Sequence, residues 1–213
     1  MTLRRLVLWR HGETDYNADR RMQGQLDSVL TPLGLDQARR AAPVLAAFQP
    51  QALLTSDLRR ASDTAAVLAE YTGLVPSTDK RLRETHLGHW QGRTHAEVDA
   101  AWPGARQTWR LDPEWAPPGG ETRVEVAARA LAVVAELDAG NIETAVLCAH
   151  GGLIASLSAA LLDLPVRNWS SFARIGNCRW TVLGRPVPLG PPAVSTDRPW
   201  RLVTYNAGLL GAP

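Results

Sequence analysis

Lysine is almost missing from this sequence: of its 23 basic side chains, only Lys80 is not an arginine. The arginines are spread along the 213 residues, and acidic residues nearly balance them, leaving a formal charge of +2. A concentrated basic patch of the kind that grips nucleic acid is lacking, so nucleic acid is not an expected partner. Cysteine is scarce as well. Cys148 and Cys178 stand in apolar surroundings without metal-type spacing and read as reduced thiols of a cytoplasmic protein. Long hydrophobic runs are also absent. The longest, "LIASLSAALLDL", is too short to cross a bilayer, and the apolar run from Leu6 turns at once into charge, unlike a signal peptide. No membrane association is expected.

What remains is an ordinary globular composition, 45% hydrophobic and 21% charged. Its length suits one domain over residues 1–213. Leu3 to Trp9 read as a strand apolar on both faces. "LTPLGLDQARRAAPVLAAF" starts a helix with Thr31 at the cap and Pro32 in the first turn. "ALLTS" and "TAVLCAH" are further buried strands. "DLRRASDTAAVLAEYTG" is an amphipathic helix closed by Gly73, and "ETRVEVAARALAVVAELDAG" opens with a capping box of Thr122 and Glu125. "GGLIASLSAALLDL" is another helix, and "CRWTVL" and "WRLVTYN" are closing strands around a Pro-rich stretch from Gly184 to Pro199. Strands alternating with helices predict an α/β fold: a three-layer α/β/α sandwich with a mostly parallel central sheet. A thinner region rich in Trp, Pro, His and Arg, about residues 85–120, is a lid-like insertion.

In such folds ligands bind beyond the carboxyl ends of the strands. Here those ends carry "RHGET", "TSDLRRA" and "CAHGG", each leading into a loop or helix start whose N–H groups favour anions. If the ends converge, Arg10, His11, Arg60 and His150 surround one point, a site sized for phosphate. Each residue taken alone has a plainer reading: a histidine fixed at a strand end, a solvated arginine pair at Arg59 and Arg60, a satisfied core histidine at 150. Their conjunction in one order favours the site.

"RHGETDYN", "TSDLRRASDTA", "RLRETHLGHWQG" and "AHGGLI" together resemble the histidine phosphatase superfamily, which includes the cofactor-dependent phosphoglycerate mutases. That resemblance implies a phosphoglycerate mutase-like fold and phosphoryl transfer through a phosphohistidine at His11. Arg10, Arg60 and His150 are implied to neutralise the phosphoryl oxygens, with no metal and no other cofactor. Glu84 matches the general acid, and Asn17, Gln23, Gly24 and Gly151 match positions that line the substrate pocket. His86, His89 and His95 lack ligand spacing and read as surface or packing residues.

The segment following Glu84 is shorter than that of the mutases, which favours hydrolysis over a bisphosphoglycerate-dependent mutase; a broad-specificity histidine phosphatase stands as the other alternative. Within the family the chain is similar to hydrolases of a glycosylated phosphoglycerate, so a small phosphorylated, glycosylated substrate is the expected partner. Trp102, Trp109 and Trp115 either stack on its sugar or simply pack the insertion. Trp9, Tyr16 and Leu87 depart from the family pattern without removing a catalytic group. The family's frequent dimers make a homodimer an open expectation.

Overall fold

β1 (Arg5–Arg10) lies in the middle of a six-stranded sheet, in a computed structural model that describes residues 3–185 and 199–209. The strand order is β3-β2-β4-β1-β5-β6, with β2 at Ala52–Thr55, β3 at Ser77–Thr78, β4 at Thr144–Ala149, β5 at Trp180–Gly184 and β6 at Arg201–Ala207. The pairings among β1 to β4 are parallel; β5 and β6 close the sheet antiparallel. The sheet is thus mostly parallel, as expected, with β3 a strand that the sequence pattern does not announce.

Alternate residues of the central strands send side chains to opposite faces. Leu6, Leu8 and Leu147 pack under α6 (Arg123–Ala139) and α7 (Gly151–Leu161). Val7, Trp9, Val146 and Cys148 pack under α3 (Arg59–Thr72) and α2 (Pro32–Ala46), the helix that follows the single turn α1 (Asp15–Ala18). These are the three layers. Trp9, the departure at the end of β1, is fully buried in the second face and donates its Nε1–H to the Cys178 carbonyl at 3.2 Å. Both cysteines are free and buried.

The anticipated helix signals are in place. The Thr31 side chain accepts from the Gly34 amide ahead of α2, Thr122 and Glu125 form the capping box of α6, and Gly73 ends α3 at a φ of 69°. Between β3 and α6 the chain forms two short helices, α4 (His95–Ala101) and α5 (Ala105–Leu111). They enclose a cluster centred on Trp90, whose ring lies 5.7 to 6.4 Å from those of Trp115, Trp109 and Trp102. The Pro-rich stretch falls mostly outside the described residues. No described helix is long and apolar enough to cross a membrane.

Candidate active site

The register of the central strands brings the polar strand ends together. Arg10 pairs with Ala149 across β1 and β4, and the His11 amide donates to the Ala149 carbonyl at 3.1 Å. His11 and His150 are therefore next-door residues at the same end of neighbouring parallel strands, with ring centroids 5.2 Å apart. β2 ends alongside, and α3, which follows it, carries Arg60 in its first turn. A cavity of about 450 Å³ opens there, within the range of small-molecule sites.

Arg10, His11, Arg60, Glu84, Asn17, Gln23, Gly24 and Gly151 all line this cavity. His150 does not reach its wall; it is fully buried behind, against His11. Neither of its ring nitrogens has a hydrogen-bond partner among the described residues, a costly condition for a buried imidazole.

The His11 ring is oriented by its own neighbour: Nδ1 lies 2.7 Å from the Gly12 carbonyl. A carbonyl can only accept, so Nδ1 carries the proton and Nε2 keeps a lone pair. Burial first, then Arg60 and Arg10, hold this imidazole well below its ordinary value of 6.5 and hence neutral. The sequence points to the two arginines as the cause; the fold adds desolvation as the larger one. His150 is lowered in the same way, by burial and then by Arg60.

Backbone carbonyls hold the arginines. Arg10 Nη1 donates to Ile175 at 2.7 Å, while Arg60 donates to Leu26 and Gly24, each at 2.8 Å. Neither has an ion-pair partner among the described residues, and the Nε–H of each is unmatched. Burial pushes both down to about 10, with Arg174 the next contributor at Arg10, yet both remain charged at neutral pH.

Glu84 enters from the loop after β3. Its carboxylate accepts from the amides of Thr85 at 2.8 Å, Gly152 at 3.0 Å and Leu153 at 3.1 Å, the last two in the first turn of α7. Acid at the start of a helix is the favourable arrangement. Gln23 is buried, its Oε1 accepting from Ser28 at 2.7 Å; Asn17 Oδ1 accepts from Asn177 Nδ2 at 3.0 Å.

Other wall residues go beyond the sequence reading. Arg21, Arg110, Arg123 and Arg174 ring the cavity from four separate segments. His95, expected at the surface or in packing, also lines it, because it opens α4 on the side facing the site. Of the three insertion tryptophans only Trp109 reaches the cavity; Trp102 and Trp115 pack around Trp90. Asn177 braces the site by donating to the carbonyls of His11 and Gly12 at 3.2 and 3.1 Å, a role with no motif to announce it. Among the described residues no group of three or more His, Cys, Asp or Glu is placed to hold a metal ion.

Two histidines packed together beside an arginine-lined cavity at the carboxyl ends of a three-layer α/β/α sheet point to a class, and the chain belongs to it: the histidine phosphatase superfamily, whose branch 1 model matches residues 6–186. Particular members are similar over nearly the whole length. The glucosyl-3-phosphoglycerate phosphatases of Mycolicibacterium vanbaalenii and Mycobacterium tuberculosis are each 55% identical, with 97% of this chain and 96% of the relative aligned. The solved structure of a mycobacterial glucosyl-3-phosphoglycerate phosphatase complexed with VO3 superposes with a TM-score of 0.89 at 55% identity, covering 96% of this chain and 100% of the other.

Proposed function

We propose that the protein hydrolyses glucosyl-3-phosphoglycerate to glucosylglycerate and inorganic phosphate, with His11 as the covalent carrier. The observation that carries this reading is a set of buried cations and donors, not paired off by acids in contact, around one nucleophile. Among the described residues, two buried arginines without an ion-pair partner and a buried histidine whose ring nitrogens have no hydrogen-bond partner lie against a neutral imidazole. Uncompensated buried cations are costly, and a phosphoryl group is the dianion that compensates them.

Nε2 of His11 attacks phosphorus as the ester P–O bond breaks. The departing alkoxide takes a proton from the Glu84 carboxyl, leaving phosphohistidine and a carboxylate. Water then attacks phosphorus, Glu84 accepts its proton, and the P–N bond breaks to release phosphate. Arg10 and Arg60 stabilise the oxygens through both steps, while His150 backs the His11 ring from behind. Asn17, Gln23, Gly24 and Gly151 line the path of the substrate.

The substrate class rests on the relatives' names and on the outer wall of the cavity. A glycosylated phosphoglycerate has a phosphate, a carboxylate and a sugar. Arg110, Arg123 and Arg174 on the cavity wall offer the carboxylate cationic partners, while Trp169 and Phe172 supply apolar wall for the sugar. The insertion that carries Trp109 and Arg110 serves as the roof, with its other tryptophans as filling.

Phosphate release from glucosyl-3-phosphoglycerate, 3-phosphoglycerate and 4-nitrophenyl phosphate tests this, with wild type and His11→Ala. The glycosylated ester is expected to have the highest kcat/KM, and the substitution to lower every rate by roughly ten-thousandfold or more. Comparable low efficiency on all three esters would reject the substrate. Survival of most activity in His11→Ala would reject the nucleophile.

A further inference from the structure

The Glu84 carboxyl is held at its own end by α7, but its backbone is gripped from behind by a group that no motif singles out. Arg129, midway along α6, donates from Nη1 to the Arg81 carbonyl at 2.6 Å and from Nη2 to the Glu84 carbonyl at 3.0 Å. One planar guanidinium thus spans the turn that delivers the acid. Glu121 fixes that guanidinium, accepting from Nε and Nη2, both at 3.1 Å, and also takes the His86 amide at 2.7 Å. Gln25 completes the brace, donating from Nε2 to the same Glu84 carbonyl at 3.0 Å and toward Glu121 at 3.4 Å.

We infer that Arg129 is a positioning residue for the general acid, with Glu121 and Gln25 as its supports. The bonds secure residues 81, 84 and 86, so the chain on both sides of Glu84 has one position. That position matters because the space around the carboxyl is tight: a Cβ on Gly152 would lie 2.6 Å from Glu84 Oε1. An acid that must meet a leaving oxygen works only within hydrogen-bond reach, and small misplacement is costly. Lysine would not replace Arg129, since its single ammonium cannot reach two carbonyls and a carboxylate with a fixed fork.

This inference rests on the proposed role of Glu84, and leaving-group dependence separates the two. Phosphoenzyme formation from an alkyl phosphate needs a proton on the leaving oxygen; nitrophenolate leaves largely without one. kcat/KM reports steps only up to phosphoenzyme formation, so it is measured for 3-phosphoglycerate and 4-nitrophenyl phosphate. Glu84→Gln serves as the reference, and Arg129→Met, Arg129→Lys and Gln25→Ala as the tests. Arg129→Met is expected to lose about tenfold to a hundredfold on the alkyl ester and less than about threefold on the aryl ester. Arg129→Lys should recover little, and Gln25→Ala should show the same bias more weakly. Equal losses on both esters, or none, in variants whose melting matches wild type would overturn the inference. If Arg129→Met does not fold, Gln25→Ala decides by the same criterion. If Glu84→Gln itself shows no bias, it is the role of Glu84 that fails.

Discussion

Arg10 and Arg60 are anchored by carbonyls and not by acids, and this choice of partner determines what they can do. A carboxylate in contact would cancel the charge that a phosphoryl group must meet, whereas a carbonyl fixes the guanidinium and leaves its charge intact. His11 follows the same logic, since the Gly12 carbonyl selects the tautomer that leaves Nε2 free. The outer arginines act differently. Arg110 and Arg174 are exposed at the cavity rim, where the proposed substrate would bring its second anionic group. For Arg174→Ala, KM for a carboxylate-bearing phosphate ester should rise about tenfold, the worth of one charge-assisted hydrogen bond, with kcat little changed. The KM for 4-nitrophenyl phosphate, which has no carboxylate, should stay within about twofold; steady-state kinetics on both esters checks this. A matching rise on both would remove Arg174 from carboxylate recognition. The five central residues were legible because their motifs are contiguous in sequence. Arg21, Arg110, Arg123 and Arg174 are single arginines among many, and only their shared wall distinguishes them.

The elements around the site meet at unusually close distances. Gly12, just beyond β1, and Gly34, in the first turn of α2, face each other: a Cβ on Gly12 would lie 2.3 Å from the Gly34 carbonyl oxygen, and one on Gly34 would lie 2.0 Å from that of Glu13. The turn bearing His11 is thereby seated on a helix start, and the Gly12 amide is tied to α3 through Thr64 Oγ1 at 3.1 Å. Gly34→Ala should therefore cost about 1–3 kcal/mol in stability, typical of overpacking, and lower kcat as well, because the displaced strand exit carries His11, the proposed nucleophile. Thermal melting and kinetics on one preparation test it; normal melting with normal kcat would show that the contact relaxes harmlessly. The long helices were readable from caps and periodicity, but α4 and α5 were not. A signal for α4 was nevertheless present: "THAE" is a capping box, with Thr94 accepting the Glu97 amide and Glu97 closing on Thr94. A dense run of Trp, Pro and Arg without a seven-residue rhythm hid it.

Assembly of the whole molecule places two neutral imidazoles side by side in its interior, and this couples stability to pH. In the unfolded chain His11 and His150 titrate near 6.5; in the fold both lie well below that. The unfolded state therefore binds more protons as pH falls, so stability is complete above about 6.5 and declines below it. The slope is about 1.4 kcal/mol per pH unit for each histidine still neutral in the fold. Urea unfolding at about pH 7.5 and about pH 5.5 should show a lower midpoint in acid, with a shallower dependence for His150→Gln. An unchanged midpoint would mean that the imidazoles charge without penalty. At this level the division between sequence and structure becomes clear. The order of the longer strands and helices, their caps and the five candidate site residues follow from local pattern, because burial period, capping chemistry and motif spacing are properties of neighbouring residues. The unpartnered state of His150, the ring of arginines, the inward turn of Trp102 and Trp115, and the Arg129 brace arise only when segments far apart in the chain pack together. Solvation, partner choice and pKa depend on what surrounds a side chain, and those surroundings are assembled by the fold.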